Sequence, residues 1–329
     1  MNMLKSLMAI TLLTLLALGV TSSGGLSTIL TVVVPYAAFT VFLAGFVYRI
    51  VKWAGAPVPF RITTTCGQEK SLPWIRTNGL DNPSSLWGVI GRMALEIFLF
   101  RSLFRNTALD MGPKRPVYAG AKWLWFFGLT FHWSLLIIVL RHLRFFIEPI
   151  APCITALSSL DGFFEIGVPT LYLSDAAVVA GITFLFLRRL LIPQVRYISL
   201  FTDYFALLLI LAVVGTGLLM RHFFPADLLQ VKNLALGWVT FSPLVPKEAG
   251  TLFYMHLCFV FALMVYFPLS KLMHMGGVFL SPTRNMANDN RAKRHINPWN
   301  SPVKVHTYTE YEDEFREKMK LAGLPVEKE

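Results

Sequence analysis

Four of the seven histidines in this 329-residue chain lie in runs apolar enough to sit inside a membrane. His132 and His142 fall in "FHWSLLIIVLRHLRFF", and His256 and His274 in the last such run. An imidazole at bilayer depth is costly unless something uses it. It can pack as a polar residue, relay protons or ligate a metal, and the spacing bears on which. Ten residues of helix rise about 15 Å and turn a net ~80°, so His132 and His142 lie at different depths. Eighteen residues make about five turns, so His256 and His274 share one face. The two runs are antiparallel, because three crossings separate them. One end therefore brings His142 toward His256, and the other brings His132 toward His274. Two bis-histidine pairs near opposite membrane faces are the ligand sets of two non-covalent b-type haems. A proton relay would not need two such pairs, although each histidine taken singly also reads as a packed or interfacial polar residue. The rises differ by roughly 12 Å, which helix tilt, Pro268 and a frayed helix around "SKLMH" must absorb.

The elements that position these histidines follow from composition. The chain is 55% hydrophobic and 15% charged, with a formal charge of +11 and a mean hydropathy of +0.56. Apolar runs near 20 residues match a hydrocarbon core of about 30 Å. The fold class expected is an all-α, polytopic membrane helical bundle of about six spans: 6–21, 29–51, 122–146, 174–192, 199–221 and 250–273. The first run also fits a cleaved signal peptide, since "MNMLK" is a short basic lead. Basic excess in such a chain marks cytoplasmic connections rather than nucleic acid binding. Connections 52–121 and 188–198 and the tail after 274 carry most of the Lys and Arg, whereas 147–173 and 222–249 hold only Lys232 and Lys247. The positive-inside rule then places both termini in the cytoplasm. Arg141, Arg144 and Arg221 run against it, as residues near helix ends that can snorkel.

Three parts are expected: an extra first span and outer turn at 1–28, a membrane domain at 29–275 with the inner connection 52–121, and a cytoplasmic tail at 276–329. Within the connection, "LWGVIGRMALEIFLFRSLF" at 86–104 reads as an interfacial amphipathic helix, because Arg92, Glu96 and Arg101 disfavour a seventh span. "TYTEYEDEFREKMK" at 307–320 reads as a short exposed helix. Cys66, Cys153 and Cys258 stand far apart, which excludes CxxC metal sites, covalent haem attachment and iron–sulphur spacing.

Other residues near the four histidines take lesser readings. Gly215 and Gly217 suit either a flat macrocycle or helix packing. Arg141, Arg144 and Arg221 on the outer side, and Arg188 or Lys271 on the inner, suit haem propionates. Arg141 and Glu165 are the candidates for contact with a quinone. His222 reads as interfacial, and His295 and His306 as solvated.

Two histidines ten apart on one span and two eighteen apart on the last resemble the gamma subunit of respiratory nitrate reductase, a dihaem cytochrome b, over about 29–275. "LDNPSSLWGVIGRMALEIFLFRSLFRNT" and "SPTRN" are similar to the DsrM family, cytochrome b subunits of the sulphite-reduction-associated DsrMKJOP complexes. The resemblance implies that His142 and His256 hold the outer haem b, and His132 and His274 the inner one. It implies exchange of electrons with menaquinone in the cytoplasmic membrane and with a cytoplasmic iron–sulphur subunit of DsrK type. DsrJ-, DsrO- and DsrP-like subunits are the further partners it implies, and dissimilatory sulphur metabolism the setting. Other cytochrome b subunits, of nitrate reductase or heterodisulphide reductase type, fit the same pattern. A secondary transporter would show broken helices and an internal repeat, neither of which is evident. A purely structural anchor for a soluble enzyme is the third class.

Overall fold

The computed structural model describes residues 1–21, 24–56, 78–111, 116–162, 170–246, 249–288 and 305–328. Five described helical stretches are long and apolar enough to cross a membrane: Asn2–Thr21, Gly25–Ala54, Lys122–Phe145, Phe201–His222 and Thr251–Leu269. The molecule is a polytopic membrane bundle of helices. In chain order these are α1 (Asn2–Thr21), α2 (Gly24–Val32), α3 (Val34–Ala54), α4 (Leu86–Leu99) and α5 (Arg101–Arg105). A hairpin, β1 (Thr107–Met111) and β2 (Pro116–Gly120), leads into α6 (Lys122–His142). Then come α7 (Pro152–Asp161), α8 (Leu173–Leu191), α9 (Pro193–Ile198), α10 (Phe201–His222), α11 (Leu228–Val239) and α12 (Thr251–Tyr266). Two short helices, α13 (His274–Gly277) and α14 (Pro282–Asn285), precede the tail helix α15 (Tyr308–Leu321).

α8 falls where a sixth span is expected but is not among the five. Its 19 residues are long enough, yet Asp175 in the first turn and Arg188 and Arg189 in the last raise its charge. Those charges sit at the two ends. The middle is buried against α6, where Gly181 lets the helices close: a Cβ there would come 2.8 Å from that of Phe131. The Phe127 and Phe184 rings stack across the same seam, 4.1 Å apart. α1 packs against α10 and α12. Its Ser6 is fully buried and donates to the carbonyls of Asn2 and Phe201, each at 3.0 Å.

Proline breaks position two helices. Pro35 has no N–H for the carbonyl four residues back, so the run bends between α2 and α3. The carbonyl of Thr31 instead accepts from Trp238 Nε1 at 2.7 Å, which ties α11 to the bend. Pro268 acts likewise at the end of α12. A 3₁₀ turn at Phe267–Leu269 gives way to extended backbone at Ser270 and a second 3₁₀ turn at Lys271–Met273. α3 receives this break. Gly45 leaves room for Pro268, since a Cβ there would come within 2.7 Å of it. Arg49 Nε donates to the Pro268 carbonyl at 2.9 Å, satisfying an acceptor the helix has abandoned.

The connection between α3 and α6 is too short in its helical part to cross: α4 has 14 residues, about 21 Å. Asp81 pairs with Arg101 and Arg105. The Arg101 guanidinium outweighs burial and, joined by Arg105, holds the Asp81 carboxyl down to about 2. Buried Asn82 accepts from Asn288, whose backbone N–H meets the Pro83 carbonyl at 2.7 Å. α4 thus shares one substructure with the segment after α13. α15 begins with a capping box of Thr307 and Glu310. Its Glu312 folds the last residues back by accepting the N–H groups of Glu327 and Lys328 at 2.9 and 2.8 Å.

Candidate functional site

α6 and the α12–α13 run supply the four histidines, two toward each end of the bundle. At the end of the bundle carrying α4 and α13, here the connection end, His132 and His274 face each other. Their ring centroids are 5.9 Å apart and their planes cross at 81°. The opposite, far end carries His142 in the last turn of α6 and His256 in the second turn of α12. The break at Pro268 and Ser270 resolves the mismatched rises. His274 is not the continuation of a straight α12 but the first residue of α13, re-aimed by two 3₁₀ turns toward α6.

Each imidazole is held at the same ring atom. Nδ1 of His132 lies 2.7 Å from the Gly128 carbonyl, Nδ1 of His142 lies 2.7 Å from that of Ile138, and Nδ1 of His274 lies 2.9 Å from that of Lys271. A carbonyl only accepts, so Nδ1 carries the proton and Nε2 keeps its lone pair. His256 reaches the same state through a side chain. Thr216 Oγ1 sits 2.7 Å from the Ala212 carbonyl and 3.0 Å from His256 Nδ1. The hydroxyl proton goes to Ala212, and its oxygen accepts from His256. Acceptors placed behind the ring in this way are what orient metal-bound histidines.

The donor set fits an iron held between two imidazoles. Metal–imidazole bonds of about 2 Å put the two ring centroids roughly 6 Å apart, close to the 5.9 Å of the His132–His274 pair. Gly217 fits too, since a Cβ there would press to 3.4 Å from His256 Cε1, and at Gly215 a Cβ would meet nothing within 4 Å. No cluster of three or more His, Cys, Asp or Glu with metal-binding geometry occurs among the described residues. Two-ligand sites do not require one.

The arginines divide. Arg141 is buried in an ionic cluster at the far end: Nη1 lies 3.1 Å from Asp161 and Nη2 2.9 Å from Asp175. Its guanidinium stands 3.6 Å from the Tyr172 ring centroid, and that of Arg221 4.0 Å from the same centroid. Asp161 also takes both the N–H and the hydroxyl of Ser174, at 2.8 and 2.6 Å. Arg144 and Arg188 form no ion pair among the described residues, whereas Lys271 pairs with Asp203 at 2.9 Å. Glu165, His295 and Cys66 lie outside the described residues.

A groove of about 780 Å³ runs along α8. Its walls are largely apolar, with Val179, Phe184, Leu187 and Leu218 among them, and Tyr172, Asp175 and His222 stand at the far end. His222, read from sequence as merely interfacial, thus shares a groove with the Asp175 partner of Arg141. Thr216 and Asp161 had no sequence signal, because a threonine in a span and an aspartate in a connection between spans are ordinary.

The class defined here is a helical membrane bundle with two histidines toward each of its ends. The chain belongs to the nitrate reductase gamma subunit family, whose pattern it matches over residues 84–288. That match takes in α4 and α5 and leaves α1–α3 outside it. The chain is 46% identical over 275 residues to the "Hdr-like menaquinol oxidoreductase cytochrome b-like subunit" of Archaeoglobus fulgidus, an alignment covering 82% of each chain. It is 42% identical over 274 residues to the protein of the same description from Archaeoglobus profundus, covering 80% of this chain and 81% of that one.

Proposed function

We propose that this chain is the membrane electron-transfer subunit of a menaquinol-linked oxidoreductase complex, holding two non-covalent b haems. His142 and His256 hold the far one, and His132 and His274 hold the one at the connection end. The observation that carries this reading is the pair of imidazoles 5.9 Å apart, each fixed through Nδ1 by a backbone carbonyl. A haem b with two imidazole ligands supplies one-electron chemistry without an open coordination position. The residues of the chain orient it, through the four Nδ1 bonds, and anchor its propionates, a role suited to Arg144 and Arg188, which form no ion pair among the described residues.

Membrane quinol meets the chain at the far end. The groove along α8 supports this: apolar walls suit a prenyl chain, and Tyr172, Asp175 and His222 offer polar partners for a ring hydroxyl. Arg141, a candidate for contact with the quinol, also holds Asp175 there. The charge pattern supports a cytoplasmic-membrane topology with both termini inside, so the connection end faces the cytoplasm. A cytoplasmic iron–sulphur subunit of DsrK type would dock on α4, α14 and the tail, as the DsrM-like segments imply, within a complex that also has DsrJ-, DsrO- and DsrP-like members. Relatives described as menaquinol oxidoreductase subunits support the substrate.

The test is haem content with paired replacements. The purified chain is expected to show two b haems by pyridine haemochrome. His142→Ala and His256→Ala should each lose the same spectral component, and His132→Ala and His274→Ala the other. A haem-free chain, or His132→Ala and His142→Ala removing one common component, overturns the assignment.

A further inference from the structure

α4 and α5 meet at Phe100, whose φ of 50° and ψ of 45° lie in the left-handed region that bulky L-residues avoid. Such a conformation persists only where the surroundings over-determine it. Here they do. The Phe100 N–H closes α4 on the carbonyls of Leu95 and Glu96. The Glu96 carboxylate takes the Ser102 backbone N–H at 3.2 Å and its hydroxyl, so α5 starts at once. From α6, Trp133 Nε1 donates to the Phe98 carbonyl at 3.0 Å and Trp125 Nε1 to the Leu99 carbonyl at 2.7 Å. Two indoles therefore grip the successive carbonyls that precede the corner.

The consequence is where the ring goes. Phe100 stands edge-on to the His132 imidazole, with centroids 5.0 Å apart and planes at 89°. The bond from Nδ1 to Gly128 restrains His132 at one ring atom, and the Phe131 ring of the same helix stands edge-on at 5.1 Å. Phe100 is the ring that bears on it from outside α6. We propose that Phe100 is a positioning residue, which fixes the plane of the His132 imidazole against that of His274 and so sets the electronic character of the haem this pair holds. Outer-shell contacts tune a metal site through ligand orientation in this way. The inference rests on the two-haem reading and adds to it a role for the connection preceding α6.

Two variants test it in the full-length purified chain. Glycine is the residue that a φ of 50° favours, so Phe100→Gly removes the ring without straining the backbone. Phe100→Leu keeps bulk while removing the aromatic edge, and it carries the test should the glycine variant fail to fold. Low-spin EPR reads the relative orientation of two axial imidazoles, and redox titration reads the potential of each haem. The variants should retain two haems per chain. The g values and midpoint potential of the His132–His274 component should shift, those of the His142–His256 component should stay, and Phe100→Tyr should restore the wild-type signature. Variant spectra and potentials matching wild type, or equal shifts in both components, overturn the role of Phe100 while leaving the haem pairs standing. A wild-type chain that binds no haem overturns both.

Discussion

Replacing Thr216 with valine tests the far pair at the one Nδ1 acceptor that is a side chain. Valine keeps the branched shape and deletes the oxygen lying 3.0 Å from His256 Nδ1. The hydroxyl proton is already committed to the Ala212 carbonyl at 2.7 Å, so the loss falls on the imidazole N–H. Leaving a buried donor without an acceptor costs about 1–3 kcal/mol. At about 1.4 kcal/mol per decade this is roughly a 5- to 150-fold weakening, which brackets the about 10- to 100-fold loss found when partners behind metal ligands are removed. The assay is partition of haem from the detergent-solubilised chain to an excess of an apo-haem protein, followed by difference spectroscopy. Thr216→Val should release the His142–His256 component about 5- to 150-fold more readily and leave the other unchanged, because His132 and His274 use backbone carbonyls. Thr216→Ser should behave as wild type. Equal retention of both components in Thr216→Val refutes the claim that this hydroxyl fixes the His256 tautomer.

Two further expectations follow from the ends of the bundle. Arg141→Met leaves Asp161 and Asp175 with no cation between them, and loss of one partner of a buried pair costs about 3–5 kcal/mol; thermal unfolding should show a strongly destabilised chain, partly rescued by adding Asp175→Asn, and an unchanged midpoint sinks the idea. Gly45→Val puts a side chain where even a Cβ lies 2.7 Å from Pro268; the break should shift, the His132–His274 haem should be lost first, and retention of both haems at wild-type affinity counts against the break as the device that aims His274.

The meeting of His132 with His274 was legible in sequence because a membrane removes alternatives. Length fixes how many times the chain crosses, crossing number fixes direction, and direction fixes which ends meet. The same reasoning sets His142 toward His256 as an expectation. The rise between His256 and His274 was the step that a straight helix cannot explain, and Pro268 flagged where it would fail. Which way the chain turns there was not legible, since that depends on Gly45 and Arg49, more than 200 residues earlier. α8 shows the reverse limit. Its apolar middle reads as a span, but composition alone sets Asp175 against it, and only the partner Arg141, 34 residues earlier, explains why that charge is tolerated.

What escaped the sequence is the shell around the histidines, and the reason is physical. Metal ligands are drawn from few residue types, so they stand out in an apolar run. Orienting groups are drawn from the backbone or from any residue that reaches. Three of the four Nδ1 acceptors here are main-chain carbonyls within four residues, which helix geometry offers to many histidines near a turn. The exception is His256, whose Nδ1 meets Thr216 Oγ1 from α10. His256 sits in the second turn of α12, where the carbonyl four residues back, that of Leu252, belongs to the first turn. The far pair therefore depends on the seating of α10 against α12 in a way the other pair does not. α1 packs on the same two helices and meets the start of α10 through Ser6, which donates to the Phe201 carbonyl.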